Sequence, residues 1–245
     1  PMHALRSYTL LIRWQALRLK TYLPLAFVVQ SLFAFGIVVG YPLFFPDIDE
    51  MTILFLATGA PAVTLITMGV VVLPQVVAQS KLEGSLEFMR SLPVPRMAYL
   101  MADLSVWTAV VLPGVVFGVA VGAWAFDLAL SVSIFIVPAV LLVVTTAAAL
   151  GYAMASVLPP MMAMLLSQVL VFGVLLFSPI NYPADRLPEW MQSIHSVLPV
   201  QAMGEVVRGS LASDVFPLTI VPFVTLGIWC AAALTLSYLT LQRRA

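Results

Sequence analysis

The chain has 245 residues, of which 62% are hydrophobic and only 9% are charged, whereas a soluble domain carries roughly 25% charged residues. Its formal charges cancel to zero at neutral pH, which removes the argument for a basic nucleic-acid-binding surface. The composition therefore indicates a membrane protein and predicts that the chain binds no nucleic acid.

The first predicted element is an amphipathic helix over residues 3–20. Arg6, Arg13 and Lys20 recur every seven residues and share one helix face, while apolar side chains such as Tyr8 project from another. Such a helix lies at a membrane interface, with its basic face toward lipid phosphates or a cytoplasmic partner. Alternatively, these basic residues serve only to keep the segment on the cytoplasmic side. The segment has no continuous apolar core, so no signal peptide is predicted.

Six uncharged apolar runs follow, and each is long enough to cross a bilayer core about 30 Å thick as a helix. The predicted spans are residues 22–45, 52–78, 104–126, 128–158, 161–180 and 215–241. Prolines inside several runs are expected to kink the helices rather than to end them. We therefore expect an all-α membrane protein with one transmembrane domain, residues 1–245, and six transmembrane helices.

Basic residues determine the predicted orientation, because Lys and Arg resist translocation. With both termini in the cytoplasm, nine of the eleven basic residues lie on the inner side. These nine are Arg6, Arg13, Arg18, Lys20, Lys81, Arg90, Arg96, Arg243 and Arg244. Only Arg186 and Arg208 fall in outer segments, where most acidic residues also lie. The pattern predicts a multi-pass protein of the cell (inner) membrane with two cytoplasmic termini.

The loop between the second and third spans, residues 79–96, carries a second amphipathic helix. Apolar and charged residues recur there at helical spacing in two neighbouring stripes. The apolar stripe is Leu82, Leu86 and Met89, and the polar stripe is Glu83, Glu87 and Arg90. Pro93 and Pro95 end the helix, and Arg96 begins the return into the membrane. A helix of this kind fits a groove on a cytoplasmic partner; an amphipathic loop on lipid is the alternative.

Two segments resemble motifs of permeases in the ABC type-2 exporter family. The stretch Glu83-Gly-Ser-Leu-Glu-Phe-Met-Arg-Ser-Leu-Pro-Val-Pro-Arg96 is similar to the signature E-x-G-T-L-E-x-L-x-x-x-P-V/I-S/P-R, with Ser85 in place of Thr and Leu82 in place of the leading acidic residue. The second resemblance is to the family's outer segment and comprises Ser178-Pro-Ile-Asn-Tyr-Pro183, Leu187-Pro-Glu-Trp190, Leu198-Pro199 and Arg208. The motifs, six spans and N-terminal helix cover essentially the whole chain in the family's order.

The resemblance implies a role for each of the two segments. The inner one is expected to be a cytoplasmic coupling helix that docks on an ATPase subunit, through Gln79, Lys81, Leu82, Glu83, Gly84, Leu86, Glu87, Met89 and Arg90. The outer one, residues 181–214, is expected to form a re-entrant helical hairpin that caps an outer gate. The expected gate residues are Tyr182, Pro183, Leu187, Pro188, Trp190, Pro199 and Arg208. An ordinary surface loop is the alternative for this outer segment.

In permeases of this family, the second and fifth spans line the substrate route of a permease dimer. On those spans the candidate pathway residues are Thr64, Thr67, Met68, Met164, Gln168 and Phe172. Flexible methionine and aromatic side chains suit a hydrophobic drug-like or lipid substrate better than a sugar polymer. Packing against lipid or core is the alternative for these residues. Export of a polysaccharide or glycolipid, and a non-transporting membrane scaffold, remain alternative functions.

By the same resemblance, the chain is expected to pair with itself or a sister permease in lipid and to recruit two cytoplasmic ATP-binding subunits. A P-loop needs Gly-Lys-Ser/Thr, and the only lysines, Lys20 and Lys81, follow Leu and Ser. The chain is therefore expected to bind no cofactor directly, and ATP and magnesium are expected in the partner subunit.

The sequence also lacks the residues of other membrane functions. The uncharged spans offer no ionisable group for proton or sodium coupling. His3 and His195 lie outside the spans, which excludes an intramembrane Ser-His site, and the single Cys230 has no partner for a metal or redox motif. Asp103 at the inner end of the third span is either a functional carboxylate or an interface residue. A transporter subunit, rather than an enzyme, is predicted.

Overall fold

The computed structural model describes residues 2–20, 23–40, 49–91, 94–128 and 130–242, and within these residues the chain is helical without a strand. In chain order the helices are α1 (Met2–Leu19), α2 (Leu23–Phe35), α3 (Glu50–Leu82), α4 (Ser85–Ser91), α5 (Arg96–Phe126), α6 (Ile136–Val157), α7 (Pro160–Phe177), α8 (Glu189–Val197), α9 (Pro199–Leu211) and α10 (Ile220–Gln242). Five of these helices, namely α3, α5, α6, α7 and α10, are long and apolar enough to cross a membrane. This confirms an all-helical membrane protein.

The five long helices run back and forth between two ends of a bundle. At one end, called the α4 end, the last residues of α3 contact the end of α6, where Lys81 bonds Ala155. The last turn of α10 also reaches the end of α6, because the hydroxyl groups of Thr240 and Ser156 lie 2.9 Å apart. The opposite end carries α8 and α9 and is called the hairpin end.

The helix boundaries differ from several of the predicted spans. The sixth predicted span, 215–241, begins too early, because α10 starts only at Ile220. The fourth predicted span, 128–158, also begins too early, because α6 starts only at Ile136. The preceding residues bond the segment around α9 instead: the Ser133 amide donates to the Ser210 carbonyl at 2.9 Å. The third predicted span, 104–126, lies within α5, which starts eight residues earlier at Arg96. The first predicted span is seen as α2 followed by a π-helical turn at Gly36–Gly40, and its residues 41–45 lie outside the described part.

Helix α3 occupies the centre of the bundle. In its most apolar window 89% of residues are buried, whereas the corresponding share in α7 is 17%. A π-helical turn at Met68–Val72 interrupts α3 where α6 packs against it. At this crossing a Cβ on Gly69 would lie 2.5 Å from the backbone carbon of Ala147. Glycine therefore lets the two backbones approach closely, as small residues do between membrane helices.

The described interior contains two large apolar clusters, besides a small one of Ala149, Ala153 and Ala233 between α6 and α10. One, toward the hairpin end, joins α3, α5, α6 and α9, and includes Ile66, Val143 and Met203. The other, toward the α4 end, joins the last turns of α3 to α5, α6 and α7 around Trp107 and Tyr152. Because both clusters contain residues of α3, α5 and α6, these three helices form a continuous packed core onto which α9 is fixed.

Candidate functional site

The α4 end begins at a turn between α3 and α4. Gly84 has a left-handed φ of +71°, which glycine adopts without the steric penalty of a Cβ. Because of this turn, Gln79 to Leu82 belong to the end of α3, and α4 starts only at Ser85. The predicted continuous apolar stripe is therefore divided: Leu82 lies on a different helix from Met89. The side chains of the expected coupling residues Leu86, Glu87 and Arg90 lie outside the described part.

Lys81 connects the end of α3 to the end of α6. Its Nζ donates to the backbone carbonyls of Ala155 at 2.5 Å, Ser156 at 3.1 Å and Leu158 at 3.2 Å. These carbonyls belong to the C-terminal turn of α6, where a cation is favourable for the helix dipole. Lys81 therefore fixes α3 to the turn between α6 and α7, in addition to any role as a coupling residue.

A cavity of about 920 Å³ opens beside these residues. It lies between α1, the start of α2, the second half of α3 and the first half of α5, with Met164 of α7 completing its wall. The polar and aromatic lining residues are Trp14, Gln15, Gln75, Gln79, Ser80, Glu83, Tyr99, Asp103 and Trp107. Gln79 and Glu83 bond each other within this wall, with the Gln79 amide nitrogen 2.9 Å from a Glu83 oxygen. Two of the expected coupling residues thus face a cavity.

Helix α1 covers one side of this cavity and packs on α5. The Tyr8 and Ser105 hydroxyl groups lie 2.9 Å apart, and Gln15 is only 5% exposed. The Oε1 atom of Gln15 has no hydrogen-bond partner. Arg13 and Lys20 on the predicted basic face are exposed. The burial of Gln15 was not predicted, because a glutamine in an amphipathic helix does not indicate burial. Only its position seven residues after Tyr8 indicated that the two residues share a helix face.

The six candidate pathway residues occupy three different environments. Thr64 and Thr67 are buried inside the subunit, and the Thr64 hydroxyl donates to the Ala60 carbonyl at 3.0 Å. Met68 and Met164 are brought together as lining residues of the cavity. Gln168 and Phe172 instead lie on the exposed face of α7. The six residues therefore do not line one surface of this subunit.

At the hairpin end, α8 and α9 form a helical hairpin beside α10. The Trp229 indole donates to the Val197 carbonyl at 2.9 Å. Trp229 lies nine residues after the start of α10 at Ile220, which corresponds to about 13 Å along the helix. The turn between α8 and α9 therefore lies beside the middle of α10 rather than beside its first residue.

Arg208 is a buried cation of α9. The side chain is 4% exposed, and its Nη2 donates to the Ile180 carbonyl at 2.5 Å. The guanidinium carbon lies 3.3 Å from the centre of the Phe55 ring and 5.5 Å from that of Phe216. Burial lowers the pKa of Arg208 to about 9, so the group remains a cation at neutral pH. Arg208 thus joins α9 to α3 and to the segment after α7.

The other expected gate residues lie around the hairpin. The Tyr182 hydroxyl donates to the Leu176 carbonyl at 3.0 Å, and the Leu187 carbonyl accepts a bond from Gln192 at 2.7 Å. Three of the remaining gate residues are prolines at the boundaries of helical segments: Pro183 before the 3₁₀ turn Ala184–Arg186, Pro188 before α8 and Pro199 at the start of α9. The last one, Trp190, is 63% exposed.

Comparison with known proteins connects these features. A family model described as "ABC-2 type transporter" matches residues 4–212. The match begins in α1 and ends just after α9, and it includes α4, the cavity-lining helices and the hairpin. Among curated proteins, no match was found.

Proposed function

The chain belongs to the ABC-2 type transporter family, and we propose that it is the permease subunit of an ATP-driven exporter for a hydrophobic drug-like or lipid substrate. Family membership makes the chain a transmembrane transport component without its own ATPase site, which works with an ATP-binding partner. The proposal adds the direction of transport, the class of substrate and the subunit composition of the complex. The observation that carries it is that α4 directly follows α3 at the Gly84 turn, next to Lys81, which bonds α3 to the end of α6.

We propose six spans, with α2 and its π-helical turn as the first. The 13 residues of Leu23–Phe35 and the five of Gly36–Gly40 are consecutive and extend about 27 Å, close to the bilayer core. An even number of spans places both termini on one side, and the basic residues favour the cytoplasm. The α4 end is then cytoplasmic, α1 is interfacial and the hairpin end is external in a single domain of the cell (inner) membrane.

The cytoplasmic helix α4 is proposed to transmit motion from two ATP-binding subunits. ATP and magnesium bind in those subunits, and ATP draws them together. Motion applied to α4 reaches α3 through the turn at Gly84 and reaches α6 and α7 through Lys81. Three spans are thereby moved together, which suits a rigid-body switch in access between the two membrane faces.

A second permease subunit is proposed to cover the exposed face of α7. Gln168 is exposed in the middle of this apolar helix. An amide without hydrogen-bond partners in lipid costs free energy, so a subunit interface or a pathway is a better location for Gln168 than the acyl chains. A homodimer or a heterodimer would meet this requirement if its interface contained Gln168 and Phe172. The other lipid-facing helices would remain in contact with membrane lipid.

Two alternative functions would make different demands on the protein. A polysaccharide or glycolipid exporter of the same family would need a pathway with many hydrogen-bonding groups, whereas α7 exposes residues such as Met161, Leu165 and Phe172. A non-transporting scaffold would use α4 only to bind a cytoplasmic protein.

Reconstitution with the cognate ATP-binding subunit tests the proposal. Purified complex in liposomes is expected to hydrolyse ATP faster with a lipophilic substrate and to move that substrate in an ATP-dependent way. The Glu83→Lys/Glu87→Lys variant should retain folded spans but lose this coupling. Because Glu83 also lines the cavity, Glu87→Lys alone separates partner contact from cavity effects.

The matched control reverses two exposed charges at the other end, Asp185→Lys/Glu189→Lys. It is expected to leave coupled transport unchanged. Full coupled transport by the Glu83→Lys/Glu87→Lys variant would contradict the role of α4. Substrate-stimulated hydrolysis by the wild-type complex would exclude the scaffold, and stimulation by a lipid-linked glycan alone would favour the glycan exporter.

A further inference from the structure

The N-terminal helix α1 presents three faces that differ in their chemistry. One face packs on α5, where the Tyr8 and Ser105 hydroxyl groups lie 2.9 Å apart and where Gln15 is buried. A basic face and an apolar face are exposed. What these two faces bind depends on the proposed function only in that α1 is placed at the cytoplasmic interface.

The basic face of α1 carries Arg6, Arg13 and Lys20. Seven residues separate each of them from the next, which corresponds to about 10.5 Å along a helix. Lys20 directly follows α1, and its amide donates to the Ala16 carbonyl at 3.0 Å, which keeps it in the helical register. All three side chains are exposed, and the residues of α1, Met2–Leu19, include no aspartate or glutamate. This face therefore favours a partner that brings several negative charges.

The apolar face lies directly beside the basic one. Leu10 and Leu17 follow Arg6 and Arg13 by four residues, so each leucine neighbours an arginine on the helix surface. The two leucines are 58% and 55% exposed, whereas Leu11 is 7% exposed. Exposed leucines next to a row of cations suit the level of a bilayer where acyl chains meet head groups.

We propose that α1 binds phospholipids with a net negative charge, with their phosphates along Arg6, Arg13 and Lys20 and their acyl chains against Leu10 and Leu17. A zwitterionic head group carries its own ammonium, so it neutralises this row of cations less well than an anionic head group does. An acidic protein surface could contact the basic face. An anionic phospholipid, however, covers both faces with one molecule that is already present at this depth.

Quenching of Trp14 by brominated lipids measures which lipids surround α1. Trp14 lies four residues after Leu10 and is exposed, and bromine in an acyl chain quenches tryptophans that it contacts. The full-length chain, without the ATP-binding subunit, is reconstituted in vesicles in which phosphatidylglycerol is the minor and phosphatidylcholine the major lipid. One of the two lipids is brominated in each preparation, and the signal of Trp14 is the part that disappears in Trp14→Phe.

We expect phosphatidylglycerol to bind beside Trp14 at least about fivefold more strongly than phosphatidylcholine, because one basic residue near an anionic surface contributes that much. Raised ionic strength should reduce this preference, since salt screens exposed charges. Soluble glycerol phosphate has the head-group charge without acyl chains and should not displace the lipid.

Charge-neutral variants identify the basic face. Arg6→Gln, Arg13→Gln and Lys20→Gln are each expected to reduce the preference for phosphatidylglycerol, and the triple variant should abolish it. Arg186→Gln is the matched control, since it removes an exposed arginine at the hairpin end and should leave the preference unchanged. Trp190, which is exposed at that same end, reports the lipids that surround another part of the protein. If the triple variant does not fold, the three single variants still decide the result.

The proposal is overturned if both lipids quench Trp14 in proportion to their bulk amounts, if the triple variant keeps the full preference, or if Trp190 shows the same preference as Trp14. Displacement by glycerol phosphate would overturn it in favour of a site for free phosphate. Loss of the preference when the cognate ATP-binding subunit is added would overturn it in favour of a protein interface.

The proposed function is tested separately, by ATP-driven transport. Transport without a lipid preference at Trp14 would refute this inference alone. A lipid preference at Trp14 without any ATP-driven transport would refute the export function alone.

Discussion

Arg208 stacks on Phe55, with its guanidinium carbon 3.3 Å from the ring centre, and this pair joins α9 to the first turns of α3. The same guanidinium donates to the Ile180 carbonyl. A single buried cation therefore fixes three segments of the hairpin end. Arginine suits this position because its planar group can stack on a ring and donate hydrogen bonds at the same time.

Replacement of this cation should destabilise the hairpin end. Arg208→Ala leaves the Ile180 carbonyl without its donor and removes the contact with Phe55, so we expect a loss of about 2–4 kcal/mol. Arg208→Lys should recover only part of it, because an ammonium group cannot stack as a plane. Thermal unfolding in detergent measures both, with the exposed Arg186→Ala as control. Equal midpoints for Arg208→Ala and Arg186→Ala would show that the pair contributes nothing.

Removal of the charge from Lys81 should weaken the end of α6. Lys81→Met keeps most of the side-chain length but withdraws the donor from three backbone carbonyls. The expected loss is about 1–2 kcal/mol, from the helix dipole and the lost hydrogen bonds. The other lysine, Lys20, is exposed, and Lys20→Met is the matched control. Hydrogen exchange at the end of α6 should increase in Lys81→Met only; unchanged exchange there would refute the capping role.

A methyl group at Gly69 should separate α3 from α6. The Cβ of Gly69→Ala would lie 2.5 Å from backbone and side-chain carbons of Ala147, and overpacking of this kind costs about 1–3 kcal/mol. A Cβ on Gly173 in α7 meets nothing within 4 Å. Gly173→Ala should therefore be neutral or slightly stabilising, because alanine favours helices. Comparable thermal midpoints for the two variants would contradict the close crossing.

Gly84 permits a test of the turn before α4 without a change in packing. A Cβ there meets nothing within 4 Å, but the left-handed φ of +71° strains other residues. Gly84→Ala should cost about 1–2 kcal/mol locally, whereas Gly84→Asn should cost less because asparagine tolerates this conformation. ATP-coupled transport is expected to fall more in Gly84→Ala than in Gly84→Asn. The reverse order would show that the backbone conformation at this turn does not matter.

Local composition was sufficient to predict most of the helices. Uncharged runs such as 161–180 have only one stable conformation in lipid, because a helix satisfies its own backbone hydrogen bonds. The positions of prolines and charged residues predicted most helix ends to within a few residues. The prediction failed at the start of α6, where the amides of Ser133 and Ser213 bond partners in segments distant in sequence. Such partners are not visible in a local window.

Sequence alone thus determined the membrane-spanning class, the resemblance of two motifs to a transporter family and the absence of a P-loop. Tertiary structure decided which apolar helix is central, what Lys81 and Arg208 bind, and that Gln15 faces a cavity with Asp103. The reason is that a uniformly apolar helix can present any face to lipid or to a neighbour at similar free energy. Only the packing of all helices together selects the face and brings distant polar side chains into one site.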